Sequence, residues 1–497
     1  MPRLPVLVFV VGTGSLGAEI AAVRLLAPYF GASTIVWANT IGVVLVALSV
    51  GYWVGGRLAD RHPHMRGLCL LALTAAVLLA LVPFAAGPLL HLGVNALDDI
   101  SAGAFLGSLL AVLVLVAVPV LLLGAVSPYA VRLAVSTVEE AGTVAGRLYA
   151  ISTAGSLVGT LLSALVLIPL VGTRRTFLVF ALAISLCAVA GLRPARRFAL
   201  APAAIAALIA LPVGTLKAQS HTGRVIHEAE TQYQYARVLQ AADGTRYLEV
   251  NEGQAEHSVY HPNTVLTDDY WDGMLVLPFT ASSRPPMRMA ILGNAAGTTS
   301  RAYGHFFPRT RIDGVEIDPE LTRIGRRWFG MHNPRLRVHN EDARPFLRRT
   351  TARYDVIVVD AYRQPYIPFY LTTREFFRLV RDRLAPGGVM IVNIGHPAGS
   401  DRLEKVLTAS ARQALPYELR DPIEPTNTLL VAGRGPVSAA RLAAAVPRLP
   451  RGLRPTANAA VGGIAAPLRG GAVYTDDKAP VEWLIDKSIV SYAAGGR

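Results

Sequence analysis

Hydrophobic and polar positions divide the chain near residue 217 into two unlike halves. In the first half apolar residues run in long blocks, at approximately 5–27, 35–55, 67–86, 101–126, 148–171, 177–192 and 198–213. A helix needs roughly 20 such residues to cross a bilayer, and the last two blocks are the shortest. The pattern predicts an all-α bundle of about seven transmembrane helices. From 224 to 256 polar and apolar positions alternate, with Asp243-Gly244-Thr245 as a turn between two runs, which is a hairpin signature. Beyond Met289, short Val- and Ile-rich runs alternate with helix-length segments, as in a parallel sheet wound with helices. The expected domains are a multi-span transmembrane domain at 1–217, a small β-hairpin domain at 218–285 and an α/β domain at 286–497, with the 282–286 loop before the last.

Composition sharpens this division. At 497 residues the chain exceeds what one core supports, and 52% hydrophobic residues are too many for a wholly soluble protein. Arg3 makes a thin basic leader, and the first block contains Glu19 and Arg24, so a cleaved signal peptide is not expected. Glu19 and Arg24 form either an ion pair near the interface or part of a proton or transport path. Gly51 with Gly55, and Gly155 with Gly159, have the spacing that lets helix backbones approach closely. The net charge of +14 is spread evenly over both halves, without the basic run and interleaved aromatics of a nucleic-acid binder. No nucleic-acid partner is expected. Cys69 and Cys187 both lie in apolar blocks, so neither a disulfide framework nor a CxxC metal site is available, and no metal is expected. Arg57, Arg61, Arg66, Arg132, Arg147, Arg193, Arg196 and Arg197 mark the cytoplasmic ends, which puts the N-terminus inside. Seven spans would then put the second half outside, whereas the supply of a nucleotide-type ligand argues for the cytoplasm.

The α/β half carries the candidate chemistry at its strand ends. In such a sheet, ligands sit beyond the carboxyl ends of the strands. Gly293-Asn-Ala-Ala-Gly297 is a tight strand-to-helix turn, where small side chains allow a nucleoside to approach. Glu316 ends the next strand, in Val315-Glu-Ile-Asp-Pro319, where an acid can accept hydrogen bonds from ribose hydroxyls. Asp342, before Ala343, either meets an adenine amino group or caps a helix. Asp360 ends Tyr354-Asp-Val-Ile-Val-Val-Asp360 as a general base or a structural cap. The loop after it, with Tyr362, Arg363, Pro365, Tyr366, Pro368 and Tyr370, suits a stiff lid over an organic substrate or simple packing. No Gly-Lys-Ser/Thr follows the first turn, so a nucleoside is favoured over a pyrophosphate cofactor.

Taken together, these motifs resemble the spermidine synthase (polyamine aminopropyltransferase) family, in the form fused to an N-terminal multi-span membrane domain. The resemblance covers nearly everything after about residue 225. It is carried by Gly293-Asn-Ala-Ala-Gly-Thr-Thr-Ser-Arg301, Val315-Glu-Ile-Asp-Pro319, the run ending at Asp360, Phe376-Phe377 and Leu384-Ala-Pro-Gly-Gly388. In the first half, Gly146-Arg-Leu-Tyr-Ala-Ile-Ser-Thr-Ala-Gly155 looks like the fused members. The resemblance implies a Rossmann-like, methyltransferase-type domain that transfers an aminopropyl group from decarboxylated S-adenosylmethionine to an amine, releasing methylthioadenosine. It assigns Gln234 to the nucleoside, Gly293 and Gly297 to the cofactor turn, Glu316 to the ribose, Asp342 with Ala343 to the adenine and Asp360 to proton acceptance. Tyr362, Asp272 and Glu256 are the candidate substrate-binding residues.

Three departures bear on the amine. The family's turn carries an Asp where this chain has Ala296. The second Asp of its Asp-x-x-Asp loop is here Arg363. Its Tyr-His-Glu before Met-Leu is here Trp271-Asp272-Gly273. Asp268, Asp269, Asp272 and Glu256 are candidate replacements. Two other functions stay open at this point: a methyltransferase-like enzyme using intact S-adenosylmethionine, and a membrane transporter or sensor that binds polyamine or nucleoside without turnover. The expected partners are a small-molecule amine and the lipid bilayer, the expected assembly is a homodimer, and the expected location is the cell membrane, with the soluble domain cytoplasmic.

Overall fold

An apolar block folds as a helix because a helix pairs its own backbone N–H and C=O groups and needs neither water nor a partner strand. The computed structural model describes residues 3–30, 34–97, 103–211, 222–251, 255–362 and 367–485. The chain divides into two compact units, Met1–Gln219 with Glu230–Tyr235, and Ser220–Ala229 with Ala236–Arg497.

The first unit contains α1 (Arg3–Phe30), α2 (Thr34–Arg61), α3 (Met65–Leu97), α4 (Gly103–Leu115), α5 (Ala117–Ala134), α6 (Ala141–Leu162), α7 (Ile168–Gly191) and α8 (Leu200–Ala210). Among the described residues five stretches are long and apolar enough to cross a membrane: Leu4–Phe30, Val36–Arg61, Met65–Leu90, Ala117–Ala134 and Ala141–Gly191. The sequence pattern predicts seven, and two local features account for the difference. The last stretch is 51 residues long and breaks at Gly172, whose φ of +82° interrupts the helix, so it holds two of the expected blocks. The seventh block forms only the 11-residue α8, about half the length a span requires. Its expected continuation to residue 213 lies outside the described residues, as does the boundary at 217.

Small residues bring these helices together. A Cβ on Gly155 or Gly159 of α6 would run into the Phe9 and Thr13 carbonyl oxygens of α1. One on Gly51 or Gly55 of α2 would meet those of Leu121 and Ala125 on α5. Ser163 donates to the Gly17 carbonyl at 3.0 Å along the α1 contact. Leu45, Val46, Trp53, Leu157, Leu161 and Leu165 stay exposed, a surface suited to hydrocarbon rather than water. At the basic end, Arg132 pairs with Asp60 at 3.0 Å, and the Arg57 guanidinium lies 3.7 Å from the centre of the Trp53 ring.

The second unit is built on two sheets. Strands β1 (Arg224–Glu230), β2 (Tyr235–Gln240), β3 (Arg246–Val250) and β4 (Glu256–Tyr260) lie in that order, with the expected β2–β3 hairpin. Asp243 accepts the Thr245 N–H at 2.9 Å within its turn. Ala236, Val238, Leu248 and Val250 form one cluster with Leu321, Ile324 and Phe329 of the α/β layer. A short helix, α9 (Tyr270–Val276), leads into that layer.

There the chain runs β5 (Arg288–Leu292), α10 (Thr298–Phe306), β6 (Arg311–Val315), α11 (Pro319–Trp328), β7 (Leu336–His339), α12 (Ala343–Arg349), β8 (Tyr354–Val359), α13 (Arg374–Arg383), β9 (Leu384–Gly395), α14 (Arg402–Arg412), β10 (Tyr417–Glu424) and β11 (Asn427–Gly433). Two further helices follow, α15 (Ala439–Ala445) and α16 (Arg454–Gly463). The sheet order is β10-β11-β9-β8-β5-β6-β7, parallel from β9 to β7 and closed at one edge by the antiparallel β10–β11 hairpin. The chain winds outward from β5 to β7, then returns to place β8 on the other side of β5. That reversal leaves a crevice at the carboxyl ends of β5 and β8, where this kind of sheet binds ligands.

Replacing Gly159 with leucine is expected to destabilise the helical unit by about 1–3 kcal/mol through overpacking. A leucine at Gly146 of the same helix, where an added Cβ meets nothing within 4 Å, is expected to be neutral. Thermal unfolding of the detergent-purified variants checks this, and equal midpoints would show that α1 and α6 are not close-packed.

Candidate active site

The crevice begins at the turn after β5. Gly293 has φ +91°, and a Cβ there would collide with the Asp360 backbone, so only glycine fits between β5 and β8. Gly297 opens α10 with φ +92°. Between them the Ala295 N–H donates to Glu316 Oε2 at 2.8 Å, and the Asp318 N–H donates to Oε1 at 3.0 Å. Glu316 is buried, which pushes its carboxyl up to about 7 against the pull of these two donors. Asp342 caps α12 by accepting the Arg344 N–H at 2.8 Å, while its other oxygen accepts the Tyr370 hydroxyl at 2.6 Å. Ala343 is buried at the first position of that helix. Gly293, Gly297, Glu316, Asp342 and Ala343 thus follow the carboxyl ends of β5, β6 and β7.

Asp360 follows β8 directly. Its N–H is bonded to the Leu292 carbonyl at 2.8 Å, which continues the β8–β5 pairing by one residue. Oδ1 accepts Asn393 Nδ2 at 2.9 Å, and Oδ2 lies 3.4 Å from the Tyr270 hydroxyl. Burial pushes Asp360 up to about 6, and the Asn393, Tyr270 and Trp271 donors limit the rise. The Tyr270 phenol is held well above its ordinary value, first by burial and then by the Asp360 charge, so it faces Asp360 as a neutral donor.

A cavity of about 390 Å³ opens in front of Asp360, and Glu256, Asp269, Tyr362 and Glu424 share its wall. The Tyr270 N–H, at the start of α9, reaches both Asp269 Oδ1 at 2.6 Å and Glu424 Oε1 at 2.9 Å. Glu424 is pushed well up by burial and by the hydrogen bond its carboxyl shares with Asp269. Glu256 is raised by burial and then by Asp269. Four carboxyl groups around one cavity repel unless protons or cations answer them.

Of the residues read from sequence as substrate-binding, Glu256 and Tyr362 line this cavity with Asp360. Tyr362 is held by donating to the Asn393 carbonyl at 3.0 Å and accepting the Gly395 N–H at 2.5 Å. Asp272 is engaged elsewhere. Its carboxylate accepts the N–H groups of Thr267, at 3.0 Å, and of Asp268, at 2.9 Å, and so braces a turn in which Asp268 has φ +57°. Gln234 stands in the turn before β2, its N–H on Thr231 Oγ1 at 2.9 Å, within the segment that groups with the first unit. Ala296 is fully buried beside Leu321 and Ile324, with its N–H on Ser258 Oγ at 3.0 Å. Arg363 lies outside the described residues. Among those described, no group of three His, Cys, Asp or Glu side chains is arranged to hold a metal.

Sequence reasoning missed Tyr270, Asn393 and Glu424. Asn393 had a readable signal, being the lone polar side chain in Val389-Met-Ile-Val-Asn-Ile394. Glu424 had a weaker one, a carboxylate beside Pro425 in a hairpin turn.

The family model described as Spermine/spermidine synthase domain matches residues 278–427, which bears out the resemblance read from the motifs over that segment. A probable polyamine aminopropyl transferase of Bifidobacterium longum is 36% identical over 168 residues, 34% of this chain and 37% of that protein. Polyamine aminopropyltransferase 1 of Streptomyces coelicolor is 26% identical over 421 residues, 78% of this chain and 75% of that protein. The crystal structure of a probable spermidine synthase from Corynebacterium glutamicum aligns at a TM-score of 0.40 and 19% identity, over 52% of this chain and 100% of that one. For three of the curated relatives the match spans only 37%, 58% and 49% of their length.

Glu316 and Asp360 keep protons in the folded protein at pH values where the unfolded chain has released them. Ligand-free protein is therefore expected to lose stability as pH rises from about 3.8 to about 7, and to regain it on acidification through the same window. Glu316→Gln is expected to flatten this dependence by about 3 kcal/mol. Calorimetric unfolding at stepped pH measures it; an unchanged slope would mean that Glu316 is not held protonated.

Proposed function

We propose, from the spermine/spermidine synthase domain that residues 278–427 match, that this protein is a membrane-bound polyamine aminopropyltransferase. The donor is decarboxylated S-adenosylmethionine, with Glu316 receiving the ribose hydroxyls, Asp342 and Ala343 bordering the adenine, and Gly293 and Gly297 leaving room at the turn. The acceptor is an amine in the cavity before Asp360. Asp360 takes a proton from its ammonium group. The freed nitrogen attacks the methylene carbon beside the sulfonium, the C–N bond forms as the C–S bond breaks, and the bonding pair leaves with sulfur as neutral methylthioadenosine. An amine is nucleophilic only when unprotonated, so a base within hydrogen-bond reach is required. Holding both reactants in line supplies much of the remaining acceleration.

One observation carries the reading: a half-buried Asp360 lining a cavity that Glu256, Asp269 and Glu424 also line. A carboxyl titrating near 6 is mostly ionised at neutral pH, yet basic enough to take a proton. The surrounding carboxylates favour a cationic chain with more than one ammonium, and they compensate for the acidic positions occupied by Ala296 and Arg363. They disfavour intact S-adenosylmethionine, whose own carboxylate would add like charge to an acidic cavity. The helical unit serves as a multi-span membrane domain. Five stretches of sufficient length and apolarity, and the exposed leucines of α2 and α6, support this.

Methylthioadenosine release from the decarboxylated donor with a diamine is expected to fall by about 10²–10⁴ in Asp360→Asn. In the unaltered protein kcat/KM is expected to drop as pH falls through about 6, because protonated Asp360 accepts nothing. In the same assay Glu424→Gln is expected to raise the KM for the diamine roughly tenfold with little change in kcat. Turnover only with the carboxylated donor would replace this reading with methyl transfer. Release of the protein from membranes by alkaline carbonate would overturn the membrane assignment. Protease protection of the second half in vesicles of known sidedness tells whether it faces the cytoplasm.

A further inference from the structure

Strand β9 is buried over Val389–Ile394, and Asn393 is the one polar side chain in that run, only 3% exposed. A buried amide is costly unless its hydrogen bonds are made. Here both ends are engaged. Asn393 Nδ2 donates to Asp360 Oδ1 at 2.9 Å, and Asn393 Oδ1 accepts Asn427 Nδ2 at 2.9 Å. The orientation follows from chemistry, because an ionised carboxylate only accepts and so must face the amide NH₂. The Asn393 oxygen then needs a donor, and Asn427 provides it from the start of β11, the strand paired with β9. The Asn393 main chain is pinned as well, through the Tyr362 hydroxyl on its carbonyl at 3.0 Å.

This chain of bonds treats the two oxygens of Asp360 differently. Oδ1 is held by an amide that is itself held. Oδ2 lies 3.4 Å from the Tyr270 hydroxyl, a long contact that leaves it room to accept a proton, and the Trp271 side chain is a further donor to the same carboxyl. We propose that Asn393, oriented by Asn427, is a positioning residue for proton transfer: it fixes Asp360 through Oδ1 and presents Oδ2 to the acceptor amine. The β10–β11 hairpin thereby acts on the base without touching it. This inference rests on the aminopropyl-transfer reading above.

The test uses the full chain in detergent, with Asn393→Ala, Asn427→Ala and an Asp360→Asn reference. One readout needs no turnover. Infrared difference spectra of protein labelled with ¹³C-aspartate follow Asp360 protonation as the band lost in the reference. Other titratable groups facing Asp360 are Tyr270 and Asp269 at α9, Tyr362 on its own loop, Glu424 on the hairpin, Glu256 and His257 on β4, and His396 after β9. Of these only Asp269 carries the same label, so an Asp269→Asn control separates the two bands. Loss of the Asn393 donor is expected to raise the Asp360 midpoint by about one pH unit, and Asn427→Ala to raise it by less.

The second readout is methylthioadenosine release. In both variants kcat is expected to fall, about tenfold for Asn393→Ala, with the diamine KM kept and the acid limb moving up with the infrared midpoint. Unchanged midpoint and acid limb in an active, folded Asn427→Ala protein overturn the proposal. That variant lies at the less buried start of β11, so it keeps the test alive if Asn393→Ala does not fold. No methylthioadenosine from the unaltered protein overturns the transfer reading and the proton-transfer role with it. Activity without a shift overturns the relay alone.

Discussion

The Asp360 carboxyl is half-buried where β8 ends, and much of the surrounding architecture bears on how it is held there. Its main chain is fixed by the hydrogen bond to Leu292, which extends the β8–β5 ladder past the last strand residue. Its side chain then lines the crevice, where burial opposes ionisation. Only donors aimed at the carboxylate offset that opposition, and they come from separate elements: Asn393 from β9, Tyr270 and Trp271 from α9. The glycine at 293 belongs to the same constraint, since any side chain there would push β5 and β8 apart at the point where Asp360 emerges. A carboxyl raised to about 6 is thus a property of packing rather than of the aspartate alone.

The acidic wall extends the same logic to the acceptor. Like charges around one cavity are unfavourable when it is empty, and Glu424 responds by sharing a hydrogen bond with Asp269. Where the resemblance leads one to expect acids, this chain has Ala296, packed with Leu321 and Ile324, and Arg363. The carboxyl groups that line the cavity come instead from the start of α9, Asp269, and from the β10–β11 hairpin, Glu424. Charge balance around a cation depends on the summed field in the cavity, and that sum can be kept while its sources change.

The helical half obeys a different constraint. Its helices are held by close backbone contact and hydrogen bonding as well as by apolar packing, the arrangement that helices in hydrocarbon favour. The glycine pairs on α2 and α6 supply the first, and serines such as Ser163 supply the second. Large apolar side chains lie both inside and outside this half: Tyr129, Phe177 and Leu79 are wholly buried, while Trp53, Leu157 and Leu165 are exposed.

Periodicity alone was enough to read two halves, the β2–β3 hairpin and the wound parallel sheet, because helix, hairpin and buried strand impose different local spacings on apolar residues. The strand-end acids were legible too, since a parallel sheet exposes the ends of its strands in a fixed direction. Span number was not, because a kink such as Gly172 depends on one backbone angle that an apolar run does not reveal. Tertiary structure alone decided the roles of neighbouring acids. Asp272 turned to brace its own loop, while Asp269, three residues earlier, joined Glu424 from a hairpin 155 positions away. Which carboxylate meets a ligand depends on helix phase and on strands paired across the sheet, and those long-range pairings leave no local mark on the residues they bring together.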